Sequence, residues 1–456
     1  MRGAARVLPL GSPWIAISLA MAAFLVLVAG LAVYRRATRA NPEIVRKLFH
    51  SGSGLLTLSF PFLFADLWPV LLLTGASAAV VATMKFLPAA RRRIGGVVTD
   101  VDRTTLGELY FPAAVAVVFW FSRGRSPLLF CIPVLMLTLA DATCALVGSR
   151  YGQSRYEGAN KSLEGSIAFL VVAFFCVHIP LLLWSDIGRS ESLLIAATLA
   201  LVVMLLEGSA WRGLDNLFIP IGGYFLLSVY VTLDAAALLA RLCVTSGLVL
   251  LVLLSRRTTT MADDALLAGV FLSYVAWALA GAAWLVPPLI VYVGYAWISP
   301  RTPENSRRVH AIAAMLSVWA AAIPWLVLGS RGATDAFYPY TLVFAAHLAM
   351  FGTSRLASDY PARPLSALIG RAAIVSWLLL FVPYATLTWW SARHLLAAVV
   401  SGLILAGVAV GFTRTNPLIR ELPVTRRRWF EQAAWAAAAS VAGWLLVSAA
   451  SHAFSS

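Results

Sequence analysis

Four clusters of charged and small residues break the apolar runs in the first half of this sequence, and their types suit the handling of phosphate. The first is Arg46-Lys47-Leu48-Phe49-His50, preceded by Asn41-Pro42, which supplies a helix start with Asn at the N-cap and Pro at the first helical position. Arg46 and His50 are then i, i+4 and Lys47 and His50 are i, i+3, so the three share one face at the helix mouth. The second, Arg103-Thr104-Thr105-Leu106-Gly107-Glu108 followed by Pro112, opens an apolar span with a carboxylate. The third joins Asp141, Ala145, Gly148 and Gly152 to Lys161-Ser162-Leu163-Glu164-Gly165. Asp141 lies about a turn and a half inside its apolar run, where an ionised side chain costs at least roughly 2.5–3.5 kcal/mol, so it should be paired, metal-bound or wet. Lys161 and Ser162 precede a helix whose free N–H groups and positive dipole end suit a phosphate. The fourth cluster is Glu207-Gly208 with Asp215-Asn216-Leu217.

Each cluster alone has a plain explanation. Basic residues at a helix mouth anchor a membrane span, a Glu in a first turn meets the helix dipole, and glycines make turns. Together they supply what phosphoryl transfer needs: cations against phosphates, carboxylates for a divalent metal, and a group to orient an acceptor hydroxyl. Asn160 before Lys161 and the upstream glycine spacing exclude a Walker A loop.

The elements that must position these residues are membrane spans. The chain of 456 residues is 61% hydrophobic and only 12% charged, with a mean hydropathy of +0.84. Its apolar runs are about 20 residues long, enough to cross ~30 Å of hydrocarbon. The expected fold is all-α, a polytopic transmembrane helix bundle of about 15–16 spans. The span near 43–64 carries the first cluster, the fourth runs from the end of the span near 192–209 to the start of that near 218–233, and the spans near 284–298 and 338–352 are short enough to be re-entrant. The segment from Trp14 to Tyr34 is too long for a signal-peptide core and is followed by Arg35-Arg36 rather than a cleavage site, so it is expected to be retained.

The net charge of +15 sits mostly on arginines grouped in short loops. That pattern marks cytoplasmic loops beside anionic membrane lipids, and no basic, aromatic soluble module suggests nucleic acid. Loops 35–47, 86–107, 150–163 and 210–217 are expected on the cytoplasmic side, with the Asp66 loop and Ser185–Ser192 opposite. Arg2, Arg6, Arg123 and Arg125 run against this alternation. Cys131, Cys144, Cys176 and Cys243 form no CxxC or Cys/His pattern and read as buried apolar residues. His178, His347 and His394, in or near apolar spans, read as structural. Polar Ser255–Asp264 is the expected boundary between a domain of residues 1–256 and a further transmembrane domain of residues 257–456.

The residues of the first half resemble the phytol kinase, dolichol kinase and CTP-dependent diacylglycerol kinase family. The similar motifs are Arg-Lys-x-x-His (Arg46, Lys47, His50), Gly-Glu-x-x-x-Pro (Gly107, Glu108, Pro112), and the run from Asp141 through Gly148 and Gly152 to Lys161, Glu164 and Gly165. The resemblance covers roughly residues 40–255. It implies an integral, multi-pass cell-membrane enzyme that moves a phosphate from CTP to a lipid alcohol at the cytoplasmic face. It also implies CTP binding by Asp141, Gly148, Gly152, Lys161, Glu164 and Gly165. On this reading Arg46, Lys47 and Lys161 neutralise the triphosphate, and Asp141, Glu164 and Asp215 hold Mg²⁺. Glu108 or His50 orients or deprotonates the alcohol. Phytol, a dolichol-type polyprenol and diacylglycerol remain equivalent acceptors, and the oligomeric state stays open. A phosphatidate cytidylyltransferase-type enzyme would carry a Lys-Asp and His-Gly-Gly acidic signature that is absent from the sequence. A transporter would show inverted repeats and a midplane site, whereas these anchors sit at one face of one half.

Overall fold

In the computed structural model, which describes residue 8 and residues 12–86, 106–157, 161–298, 312–388, 392–417, 419 and 426–455, the apolar runs fold as helices. Among the described residues no strand forms, and the one isolated bridge joins Arg155 to Ser162. Among the described residues ten helices are long and apolar enough to cross a membrane, and three shorter apolar ones accompany them. The protein is therefore an integral, multi-pass helix bundle.

Contacts divide the chain into residues 1–245 and 246–456. The first unit begins with α1 (Pro13–Thr38), where Ser12 caps the helix by accepting from the Trp14 N–H at 3.3 Å and Pro13 opens the first turn. Next come α2 (Pro42–Thr57), a single turn α3 (Phe60–Leu63), α4 (Leu67–Phe86) and α5 (Gly107–Ser122). The span expected over 43–64 is thus two helices that meet at Leu58-Ser59. Helix α6 (Leu128–Tyr151) follows, then α7 (Leu163–Trp184), α8 (Arg189–Ser209), α9 (Asp215–Tyr230) and α10 (Ala235–Ser255).

Helix α6 is the centrepiece, packing against α2, α7 and α9. Pro133 removes a backbone donor from its first half, and Met136–Asp141 winds as a π-helix that ends on Asp141. A wider turn re-aims every side chain that follows it, and such turns recur at functional sites. At the far end of the unit, Arg125 donates to Tyr224 Oη at 2.6 Å and lies over its ring, while Tyr224 Oη donates to Phe121 O at 2.7 Å. These bonds give Arg125 a local reason to stand on the expected outer side.

The second unit holds the end of α10, then α11 (Asp263–Ala280), α12 (Ala282–Ile298), α13 (Ile312–Ser330), α14 (Phe337–Asp359), α15 (Leu365–Leu387), α16 (Ala392–Thr415) and α17 (Arg426–Ser455). The division falls within α10, ahead of the polar stretch expected to mark it. Thr259, Thr260, Asp263 and Asp264 of that stretch are buried, Thr260 shares a 2.7 Å hydrogen bond with Tyr295, and Arg256 pairs with Asp263 at 3.3 Å. The stretch is packed into the second unit, not a solvated linker. The segment expected to be short at 338–352 is the 23-residue α14, with 18 residues buried, enclosed by α12, α13, α15, α16 and α17. Its polar groups are met internally: Tyr340 Oη donates to Trp284 O at 3.0 Å and Thr353 Oγ1 to Ala349 O at 2.7 Å.

Candidate active site

The four polar clusters meet in one cavity of about 460 Å³ in the first unit. Helix α2 contributes Arg46, Lys47 and His50, the start of α5 contributes Gly107 and Glu108, and α6 contributes Asp141, Cys144 and Gly148. The following segment adds Arg155, Lys161, Ser162 and Gly165, and the α8–α9 corner adds Glu207, Asp215 and Asn216. Asn216 holds that corner against α5 by donating to Gly107 O at 3.0 Å. Arg103, Thr104 and Thr105 of the second cluster lie outside the described residues.

Charges alternate around the cavity. Lys47 Nζ lies 3.0 Å from Asp141 Oδ2, and Lys161 Nζ lies 2.7 Å from Glu207 Oε1 and 3.4 Å from Asp215 Oδ2. Lys161 also donates to the Glu207 carbonyl, and Cys144 Sγ donates to Glu207 Oε1 at 3.5 Å. Arg46 stands 4.0 Å from Glu108. Burial opposes the charge on Lys161, but Glu207 and Asp215 outweigh it and hold its pKa above the ordinary lysine value. His50 packs edge-on to Phe111 at 5.1 Å, and its buried Nε2 has no hydrogen-bond partner.

One carboxylate oxygen each from Asp141, Glu207 and Asp215 lies within 4.8 Å of the others. An all-oxygen anionic set of this size suits a hard divalent cation such as Mg²⁺, which takes one or two carboxylates and fills its shell with water and phosphate oxygens. Glu164, expected among the metal ligands, stands apart. It accepts from the Ser154 N–H at 2.9 Å, pinning the loop before α7, and it does not line the cavity. Glu207 takes the place in the cluster that Glu164 was expected to fill. Glu207 belongs to the fourth cluster and, like Asp141, is an acid near the end of a long apolar run; Arg155 also lines the cavity, and no spacing singled it out.

The α7 N-terminus is used internally. Ser162 caps it by accepting from Gly165 N–H at 3.2 Å, and Leu163 N–H goes to Ser154 O at 3.0 Å. The glycines have packing roles: a Cβ on Gly165 would sit 3.0 Å from Cys144 O, so α7 approaches α6 backbone to backbone. Gly148 and Gly165 line the cavity, but Gly152 does not; a Cβ there would strike Gly148 O.

A multi-pass membrane protein with a charged, oxygen-rich cavity built from helix mouths is the class that fold and site define. Comparison with curated proteins narrows it. The chain is 30% identical over 219 residues to phytol kinase from Synechocystis, covering 47% of this chain and 91% of that protein. It is 26% identical over 133 residues to dolichol kinase sec59 of Schizosaccharomyces pombe, spanning 25% of that protein, and 33% identical over 85 residues to dolichol kinase of Saccharomyces cerevisiae, spanning 16% of it. Through its N-terminal half the chain belongs to the phytol and dolichol kinase family. No family model and no solved structure matches it.

Proposed function

We propose that the protein transfers the γ-phosphate of CTP to the hydroxyl of an isoprenoid or similar lipid alcohol at the cytoplasmic membrane face. The observation that carries this reading is the clustering of Asp141, Glu207 and Asp215 beside Lys47 and Lys161 in one cavity of the helix bundle. Asp141, Glu207 and Asp215 would hold Mg²⁺, which when bound would offset charge on the phosphate oxygens. Arg46, Lys47, Arg155 and Lys161 would neutralise and align the triphosphate. Among the described residues of the wall, His50 Nε2 and Glu207 Oε2 are buried without a hydrogen-bond partner; with Glu207 given to the metal, we assign the alcohol proton to His50, and Glu108 already stands near Arg46. The alcohol oxygen bonds to the γ-phosphorus as the bond from that phosphorus to the β,γ-bridging oxygen breaks. The products are a lipid monophosphate and CDP, with the released proton on His50.

The test is purified full-length protein given Mg²⁺, CTP or ATP labelled at the γ-phosphate, and a panel of phytol, polyprenols and diacylglycerol. Labelled lipid phosphate from CTP and a prenol is the expected result. Label in no lipid, or transfer of a cytidylyl group instead, overturns the reading. Sidedness has its own test in a variant lacking the exposed native Cys243: cysteines at Gln153 and Gly213 should react from the cytoplasm and one at Gly188 from outside.

A further inference from the structure

Residues 246–456 enclose a second cavity, of about 100 Å³, whose walls differ in kind from those of the first. Helices α10 to α14 and α17 line it, and every lining residue belongs to this unit. No Asp, Glu, Lys or Arg is among them. Its polar side chains are Ser273, Tyr292, Tyr295, Gln432 and His347, and of these the histidine stands out. His347, at the middle of α14, is 3% exposed, lines the cavity, and has no hydrogen-bond partner on either ring nitrogen. Buried polar atoms are nearly always paired, so two orphaned nitrogens on a side chain that lines a cavity need an account. The cavity's phenols are turned elsewhere: Tyr292 Oη bonds Ser255 Oγ and Tyr295 Oη bonds Thr260 Oγ1, and neither reaches His347.

We infer that this cavity is a binding site for a neutral lipid carrying one hydroxyl, with the hydroxyl at His347 and the hydrocarbon along Val270, Met315, Leu348 and Phe351. A neutral imidazole offers one donor and one acceptor, and a hydroxyl, being both, can meet either. A pure hydrocarbon would leave the ring unsatisfied. A phosphorylated or otherwise charged headgroup would enter a wall with no charge to offset its own, at a large desolvation cost. The volume takes the hydroxyl-bearing end of such a lipid, and the chain leaves past Leu251, Val252 and Val291, which are only half-buried. Apolar walls with one or a few convergent polar groups are the usual make-up of small-molecule sites. The inference uses no residue of the first unit and stands apart from the phosphoryl-transfer reading.

The test uses full-length protein in detergent with three photoreactive probes of equal chain length: a diazirine-bearing long-chain alcohol, its phosphate monoester, and the hydrocarbon lacking the hydroxyl. Crosslinked peptides are located by mass spectrometry. On the wild-type protein the alcohol should label α11, α13 and α14 at least about tenfold more than either relative, as expected for a polar pairing made or lost in an apolar site. His347→Phe should remove that preference, and His347→Asn should restore part of it. Leu251→Trp, which narrows the half-buried wall without touching His347, should lower labelling by all three probes. Equal labelling by alcohol and hydrocarbon overturns the role of His347. Absence of label in these helices overturns the site, leaving His347 to be satisfied by enclosed water. The three probes on the wild type decide both points even if a variant fails to fold.

Discussion

The cavity of residues 1–245 and the cavity of residues 246–456 are both cut into helix bundles, yet their walls offer opposite chemistry. The first is lined by Arg46, Lys47, Arg155 and Lys161 against Glu108, Asp141, Glu207 and Asp215. The second has no ionisable side chain on its wall other than the His347 imidazole and the engaged phenols of Tyr292 and Tyr295. The difference follows from where each sits along its helices. The charged cavity gathers helix mouths, where lysines reach acids across short gaps, and the apolar one is walled by helix interiors around α14. Charge can be kept within a bundle when every acid has a cation beside it, and where no partner exists only neutral groups remain.

The largest effect should come from the acids of the first cavity. Asp141→Asn and Glu207→Gln should each lower turnover by at least about a hundredfold, as loss of a charge acting on a developing phosphate charge does. Glu164→Gln, outside the cluster, should loosen one loop and leave turnover within about a few-fold of the wild type. Steady-state rates on folded protein compare the three. A Glu164 variant as damaged as the Glu207 variant would return Glu164 to the site.

Lys161→Met should act on stability as well as rate. It strands the Glu207 carboxylate, 2% exposed, beside Asp215 without a cation. Removing one member of a buried pair costs about 3 kcal/mol, so the thermal midpoint in detergent should fall by several degrees. An unchanged midpoint would mean that water already solvates these acids, and that the two cavities differ less than their walls suggest.

The smallest effect should come from Tyr340→Phe in the second unit. It deletes the 3.0 Å bond to Trp284 O and should cost about 1 kcal/mol of stability. Phosphoryl transfer should persist in this variant. A large loss of turnover at full folding would tie the second unit to the chemistry and break the division of labour drawn here.

Periodicity made most of the fold legible, because a span needs a long apolar run and shows it whatever it packs against. Apart from the ends of α14 and α17, the helices from α4 onward lie within a few residues of the apolar runs that announce them. Failures occurred where polarity was mistaken for exposure. Ser255–Asp264 looks like a solvated linker but is buried through Arg256–Asp263 and Thr260–Tyr295, and α14 looked short because its hydroxyls lower its apolar content.

For the site, the sequence determined which chemistry was available: lysines, acids and glycines at the mouths of four spans, and Asp141 set inside an apolar run. Spacing along one helix could place Arg46, Lys47 and His50 on a common face, because the helical period is fixed. It could not say which acids meet, because Asp141, Glu207 and Asp215 come from three helices whose approach depends on packing. Tertiary structure decided that, through the π-turn that aims Asp141, the close contact at Gly165 and the Asn216 tie to α5. It also turned Glu164 onto Ser154 and left His347 without a partner in an uncharged wall, two outcomes of side-chain surroundings that a linear pattern does not contain.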